Sequence, residues 1–259
     1  MTLSQTNTDR LGDAGGFDFK RLLLSRELIV GVMILITAIA ATMLSPYFLT
    51  AANIKNVVIG MSIEMIVAIG LTVVLLSGGI DLSVGSVVAL SAVVIALAFN
   101  AGLSIPIAIA AGLCAGVVVG VVNGYLIAYV GLNPLITTLG TMTIFRSAVY
   151  ILSGGYAMSS IPGSFKALAN GDLLFGLPNL VVLVVVLVVL FHMAMWQNVW
   201  FRKFAFLGGS EMAALRAGIN VKRLKLMGFV ICSVLAALGG VVVVARLGSA
   251  FPNTATGME

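Results

Sequence analysis

Charge is the scarcest property of this sequence. Only 9% of the residues are charged and 61% are hydrophobic, whereas about 25% of the residues in a soluble domain carry charge. Four stretches contain no charged residue: Leu28–Ile54, Leu82–Phe145, Leu173–Phe201 and Leu226–Ala245. Each is at least as long as the roughly 20 residues that a helix needs to cross a bilayer. We therefore predict an all-α, polytopic integral membrane protein in contact with lipid, without a fused soluble enzyme domain.

Residues that carry chemistry are also scarce. The chain has one histidine, His192, and two cysteines, Cys114 and Cys232, none of them at metal-ligand spacing. It contains no G-x-x-x-x-G-K-[ST] phosphate loop. An intramembrane enzyme would need a nucleophile with a base, and one isolated histidine argues against that class. We expect no catalytic residue, no metal and no cofactor in this chain.

Turn residues divide the apolar sequence into seven predicted spans. They lie near residues 28–46, 57–76, 83–99, 104–130, 134–152, 178–196 and 224–246. Ten of the fourteen basic residues fall on one side if the N-terminus is cytoplasmic, as the positive-inside rule requires. The net charge of +5 therefore follows membrane topology and does not indicate nucleic-acid binding. We predict a cytoplasmic tail over 1–27, a transmembrane domain over 28–259 and a cytoplasmic loop over 201–225.

A few polar residues interrupt the spans, and they are candidates for a translocation path, because ionisable groups are costly in a membrane. The candidates are Glu64, Ser77, Gly78, Gly79, Asp81, Ser83 and Arg146. For the polar and charged residues among them, a purely structural role is the alternative. Asp81 or Ser83 could cap the next helix, Glu64 could be buried against a neighbouring helix, and Arg146 could extend to an interface.

A regular glycine pattern marks the fourth predicted span. Gly112, Gly116, Gly120 and Gly124 recur every fourth residue and so share one helix face. Small residues at this spacing allow another backbone to approach closely. We predict a helix-packing seam here, and whether the seam moves during function is open.

The loop over 201–225 has the pattern of a short capped helix. Gly208 and Gly209 are expected to end an extended approach, and Ser210 is a favourable N-cap with Glu211 in the first turn. Strong helix formers continue to Ala217, and Gly218 suits the left-handed position after a helix. Such a helix could dock into a groove on a partner, although an ordinary inter-span loop is the alternative.

Three segments resemble the permease subunits of bacterial ATP-binding-cassette importers for ribose, xylose, galactose and related sugars. They are LTVVLLSGGIDLSVGSVVAL (71–90), NPLITTLGTMTIFRSAVYILSGG (133–155) and LGGSEMAALRAGINVKRLK (207–225). The resemblance implies that Glu211, Ala213, Ala214 and Gly218 belong to a helix that couples to the ATPase, with Ser210 where asparagine is common. It also implies that Ser77–Ser83 lies near the translocation path.

The resemblance implies a particular assembly. Two permease chains, identical or related, would join two ATP-binding subunits and a periplasmic or lipid-anchored sugar-binding protein in the bacterial inner membrane. ATP would be bound and hydrolysed by the partner. The seven predicted spans are fewer than the roughly ten expected of such permeases, so we expect a fragment or a truncated chain that would not transport alone. An ion-coupled secondary transporter, with midplane acids and an internal repeat, is the alternative function.

Overall fold

A computed structural model of the protein describes residues 26–174 and 177–259. The predicted tail over 1–27 lies outside the described residues, except for its last two positions. The described residues form ten α-helices, one π-helical segment and one short antiparallel hairpin. Their bounds are α1 Arg26–Leu44, α2 Ala51–Leu76, α3 Val84–Asn100, α4 Ile105–Tyr125, the π-helical segment Leu126–Val130, α5 Pro134–Ser153, α6 Gly163–Asn170, β1 Asp172–Leu174, β2 Leu177–Pro178, α7 Asn179–Gln197, α8 Val199–Gly209, α9 Glu211–Arg216 and α10 Val221–Leu247.

All seven predicted spans are present as helices, and the predicted all-α membrane bundle is confirmed. Five helical segments are long and apolar enough to cross a membrane: α2, α4 with the π-helical segment, α5, α7 and α10. The apolar part of α1 and the whole of α3 are shorter apolar helices. The connection between α5 and α7, which separates the fifth and sixth predicted spans, contains α6 and the hairpin.

The described residues fall into two units. Residues up to Ile54 form one, and residues 55–259 form the other. In the first, α1 ends before Pro46, and Thr50 Oγ1 accepts a hydrogen bond of 3.3 Å from the backbone N–H of Asn53. The second unit contains the candidate sites.

Side chains and glycines set the helix ends as local rules predict. Asn133 caps α5, since its side-chain oxygen accepts from the backbone N–H of Leu135 at 2.9 Å, and Pro134 follows at the first helical position. Asn220 caps α10 in the same manner. Gly248 ends α10 with a left-handed φ of 66°, a conformation that glycine adopts at little cost.

The core of the second unit is built around α3 and α10. Nearly every residue of α3 is buried, and 67% of the apolar window of α10 is buried inside the protein. In α7 only 11% of the corresponding window is buried. Since lipid accepts apolar side chains as readily as a protein interior does, α7 is a peripheral span and α3 and α10 are central.

Candidate functional site

The predicted capped helix on the loop is α9, a six-residue helix between α8 and α10. Ser210 caps it, because its Oγ accepts a hydrogen bond of 3.2 Å from the backbone N–H of Ala213. Gly218 follows the helix with φ of 76°, and the N–H of Ile219 donates to the carbonyl of Ala214 at 3.0 Å. These bonds satisfy groups at both helix ends, so α9 is held in one conformation.

One face of α9 is exposed and the other is anchored. Met212 and Leu215 are 60% and 52% exposed, whereas Ala214 is fully buried. Ala214 belongs to a second hydrophobic cluster, which joins the end of α2, the middle of α8 and the start of α10; its other buried members are Val73, Phe204, Leu207, Val221 and Leu224. A displacement of α9 would therefore disturb its packing against three longer helices, α2, α8 and α10.

The segment before α9 is helical, so the predicted extended approach at Gly208 and Gly209 is wrong. Both residues belong to α8, which is capped by Asn198, whose side chain accepts from the N–H of Trp200 at 2.8 Å. Gly208 is needed for packing, because a Cβ there would collide with the carbonyl oxygen of Leu76. The apolar residues of α8, with Phe204 and Leu207 buried, favour a helix over an extended strand.

The break between α2 and α3 lies beside the α9 helix. Gly78 adopts φ of 78°, and the N–H of Gly79 donates back to the carbonyl of Val74 at 2.9 Å. A cavity of 490 Å³ is lined by Ser77, Gly78 and Gly79 on one side and by residues of α9 and α10 on the other, namely Glu211, Leu215, Val221, Lys222 and Lys225. Two motifs that are far apart in the sequence, Ser77–Gly79 and the segment from Glu211, thus line one cavity.

An ion pair joins two residues that line this cavity. The Nζ of Lys225, on the first turns of α10, donates to Oε2 of Glu211 at 2.7 Å. The side chains are 26% and 55% exposed, respectively. Because both remain in contact with solvent, the pair contributes little stability, although it connects α9 to the start of α10.

Asp81 and Ser83 are buried in a polar cluster. Asp81 Oδ1 accepts from the N–H and the Oγ of Ser83 at 2.9 and 2.6 Å, and Ser83 Oγ accepts from Nδ2 of Asn123 at 2.8 Å. Ser83 makes no side-chain cap, and Asp81 binds no N–H within α3, so the predicted capping is wrong. The two side chains connect the break to α4 through Asn123, which the sequence analysis did not single out.

The four glycines of α4 face α10 and α3 at very short range. A Cβ at Gly116 would lie 2.5 Å from Cβ of Ala237, and one at Gly120 would lie 2.7 Å from Cα of Val230. A Cβ at Gly124 would lie 2.9 Å from Cα of Leu226, and one at Gly112 would meet Ile95 at 2.6 Å. We call this contact of α4 with α3 and α10 the glycine seam.

Glu64 and Arg146 lie apart from the break. Arg146, in α5, donates to the backbone carbonyls of Pro252 and Thr254 at 3.1 and 2.7 Å. Glu64 is exposed on α2 and lines a separate cavity with Gly257 and Met258. The structure thus divides the predicted path candidates into two groups, one beside α9 and one beside residues 251–258. No residue of that last segment was singled out from the sequence.

The fold is that of a helical membrane protein in which a short capped helix, α9, packs against the ends of α2 and α10 and against α8. A family model described as "Branched-chain amino acid transport system / permease component" matches residues 53–259, and the chain belongs to this permease family.

Curated relatives cover most of the chain. The L-arabinose transport system permease protein AraH of Escherichia coli (strain K12) is 39% identical over 228 residues, which are 88% of this chain and 69% of the relative. The ribose import permease protein RbsC of Bacillus subtilis (strain 168) is 37% identical over 89% of this chain and 71% of the relative. The autoinducer 2 import system permease protein LsrC of Escherichia coli (strain SMS-3-5 / SECEC) is 28% identical, over 91% and 68%. No solved structure matches the chain.

Proposed function

We propose that the chain is the permease subunit of an ATP-binding-cassette importer and moves a monosaccharide or similar small polyol through the inner membrane. Two of its relatives are named for the pentoses L-arabinose and ribose. The comparisons give no support to the ion-coupled alternative. ATP is bound and hydrolysed by a partner subunit, and a second permease copy and a sugar-binding protein complete the importer.

The observation that supports this proposal is that α9 has one exposed apolar face and one face buried against other helices. Its exposed apolar side chains, Met212 and Leu215, are available to an ATP-binding subunit, and its buried Ala214 reaches the helices behind it. Apolar anchors that fill a partner's pocket supply most of the binding energy at an interface. When the ATP-binding subunits close, α9 moves and the ends of α2, α8 and α10 follow it. Such a rearrangement of packed helices gives alternating access.

The orientation follows from charge. Arg202, Lys203 and Arg216 lie between α7 and α10, and Lys222 and Arg223 begin α10. The positive-inside rule favours a cytoplasmic position for this cluster, and we infer a cytoplasmic N-terminus from the basic residues that precede the first predicted span. The cavity at Ser77–Gly79 then opens on the cytoplasmic side, where the ATP-binding subunit acts. The α9 helix, which we propose contacts the ATP-binding subunit, and the break at Ser77–Gly79 therefore lie on the same side of the membrane.

The test is binding of the ATP-binding subunit to single variants. Leu215→Glu places a charge on the exposed face of α9, and we expect at least a tenfold loss of complex, because charge is disfavoured at the centre of an interface. Val199→Glu is the matched control: Val199 is 68% exposed and lies in the first turn of α8, where an acid is favourable. Co-purification from membranes and ATP-dependent sugar uptake in liposomes measure the effect. If Leu215→Glu forms as much complex as Val199→Glu and the wild type do, α9 does not contact the ATP-binding subunit as proposed.

A further inference from the structure

The chain after α10 turns back into the protein. Arg246, near the end of α10, donates to the carbonyl of Asn56 at 3.4 Å and lies 3.7 Å from the Cβ position of Gly60, so α10 ends beside the first turns of α2. Gly257 and Met258 lie instead beside Glu64, Val67 and Leu71. Residues 251–258 therefore run back along α2, and we call them the re-entrant segment.

The re-entrant segment reaches the middle of a span. Glu64 is thirteen residues from Ala51 and twelve from Leu76, which at 1.5 Å per residue places it roughly 18–20 Å from either end of α2. Non-helical backbone at such a depth occurs only inside protein or beside a water-filled cavity. In secondary transporters, irregular backbone within discontinuous helices forms substrate sites near the midplane.

Arg146 and tight packing hold the segment in place. The Nη1 of Arg146 donates to the carbonyls of Pro252 and Thr254, which no helix satisfies. The carbonyl of Ala255 lies 2.5 Å from the Cβ position of Gly85, so only glycine fits there on α3. Ala255 itself adopts φ of 57° and Gly257 φ of 82°. Only Ala255 is strained there, because glycine adopts a positive φ freely, and such strain persists where the surroundings over-determine it, often at functional sites.

The cavity beside Glu64 has the chemistry of a sugar site. Its volume is 340 Å³, within the roughly 300–1,000 Å³ range of small-molecule pockets. Val67, Ala68, Leu71 and Met258 give it apolar walls, and Glu64 is its one charged side chain. A carboxylate accepts hydrogen bonds from hydroxyl groups, and the apolar walls suit the C–H face of a sugar ring.

We propose that Glu64 and the re-entrant segment form a sugar-contact site in the translocation path, with Arg146 as the positioning residue that holds the segment. This inference rests on the proposed function, because it assigns the contacts made by the transported sugar. One carboxylate in an open cavity gives weak binding, which a path requires so that the sugar leaves as readily as it enters.

The first test changes Glu64 in the complete importer, reconstituted in liposomes with its ATP-binding subunit and binding protein. D-ribose and L-arabinose are the probes. We expect Glu64→Leu to slow uptake about tenfold, the effect of losing a hydrogen bond to a charged group, and Glu64→Gln to slow it less. ATP hydrolysis stimulated by the loaded binding protein stays unchanged, because α9 is intact. Thr143→Val, which removes an exposed hydroxyl that donates within α5 to the carbonyl of Gly140, leaves uptake unchanged.

A second pair of variants tests the cavity independently of charge. Ala68→Phe fills the cavity, whereas Met65→Phe places the same ring at an exposed position of α2 that does not line it. Uptake falls at least tenfold in the first and is retained in the second, since only the first obstructs the cavity. Arg146→Met also slows uptake, and Arg146→Lys restores part of it, because lysine still donates to the two carbonyls.

The outcomes separate this inference from the proposed function. If the wild-type complex shows no ATP-dependent uptake of D-ribose, L-arabinose or any other sugar that its binding protein holds, the proposed function fails and this inference fails with it. If the wild type transports and both Glu64→Leu and Ala68→Phe transport at its rate, only the sugar-contact site is overturned. If uptake falls in the two variants while stimulated ATP hydrolysis persists, the site is supported.

Discussion

The glycine seam and the α9 helix differ sharply in how closely they meet their surroundings. At Gly116, Gly120 and Gly124 the backbone of α10 approaches so closely that no methyl group fits. At Gly209 and Gly218, on either side of α9, nothing lies within 4 Å of a Cβ position. Tightly packed helices can adopt a few discrete arrangements, but they do not deform gradually. The seam therefore transmits a displacement as a unit, and the α9 helix is where a partner applies it.

The largest expected effect comes from breaking the seam. Gly116→Val places two methyl groups against Ala237 and the carbonyl of Ser233, and we expect it to lower the free energy of unfolding by at least about 3 kcal/mol. Gly140→Val is the matched control, because it has the same helix-propensity cost in α5 but nothing within 4 Å of its Cβ position. Thermal unfolding in detergent measures both. Similar midpoints for the two variants would show that the seam tolerates expansion.

The seam also shows what sequence alone can predict. Period-four glycines and long apolar runs are local patterns, and the membrane restricts spans to helices or closed barrels, so the seven spans could be predicted closely. The capped α9 helix follows from Ser210, Glu211 and Gly218 alone.

The remainder depends on contacts that the sequence does not encode locally. Asn123 is an unremarkable residue in α4 until Ser83 is found beside it. The re-entrant segment carries turn residues, Pro252, Asn253 and Gly257, which predict irregular backbone but not its depth. Gly208 and Gly209 were expected to end an extended approach, but both lie in α8, and the close approach of α8 to Leu76 explains Gly208.

An intermediate effect is expected where the tight and open regions meet, at the end of α8. Gly208→Ala forces the backbone away from the carbonyl of Leu76 and should cost about 1–3 kcal/mol of stability, while moving α9 off the break. We expect sugar-stimulated ATP hydrolysis to fall with membrane insertion intact. Gly209→Ala, the adjacent control, meets nothing within 4 Å and should behave as wild type. Loss of hydrolysis in both variants would point to a general effect on α8 and not to this contact.

The smallest expected effect comes from the ion pair between Glu211 and Lys225. Because both side chains are partly exposed, a double-mutant cycle with Glu211→Gln and Lys225→Gln should give a coupling of roughly 0.2–1 kcal/mol, and the coupling should decrease as salt is raised.

Charge reversal then separates two roles of Glu211. Glu211→Lys breaks the pair, and a second change, Lys225→Glu, restores it with the charges exchanged. If the pair only holds α9 against α10, the double variant recovers stimulated ATP hydrolysis. If Glu211 contacts the ATP-binding subunit directly, hydrolysis stays low in the double variant although the pair has re-formed. Glu211 is more than half exposed and lines the cavity shared with Ser77–Gly79. We therefore expect only partial recovery, because a partner that approaches α9 meets this side chain before it meets Lys225.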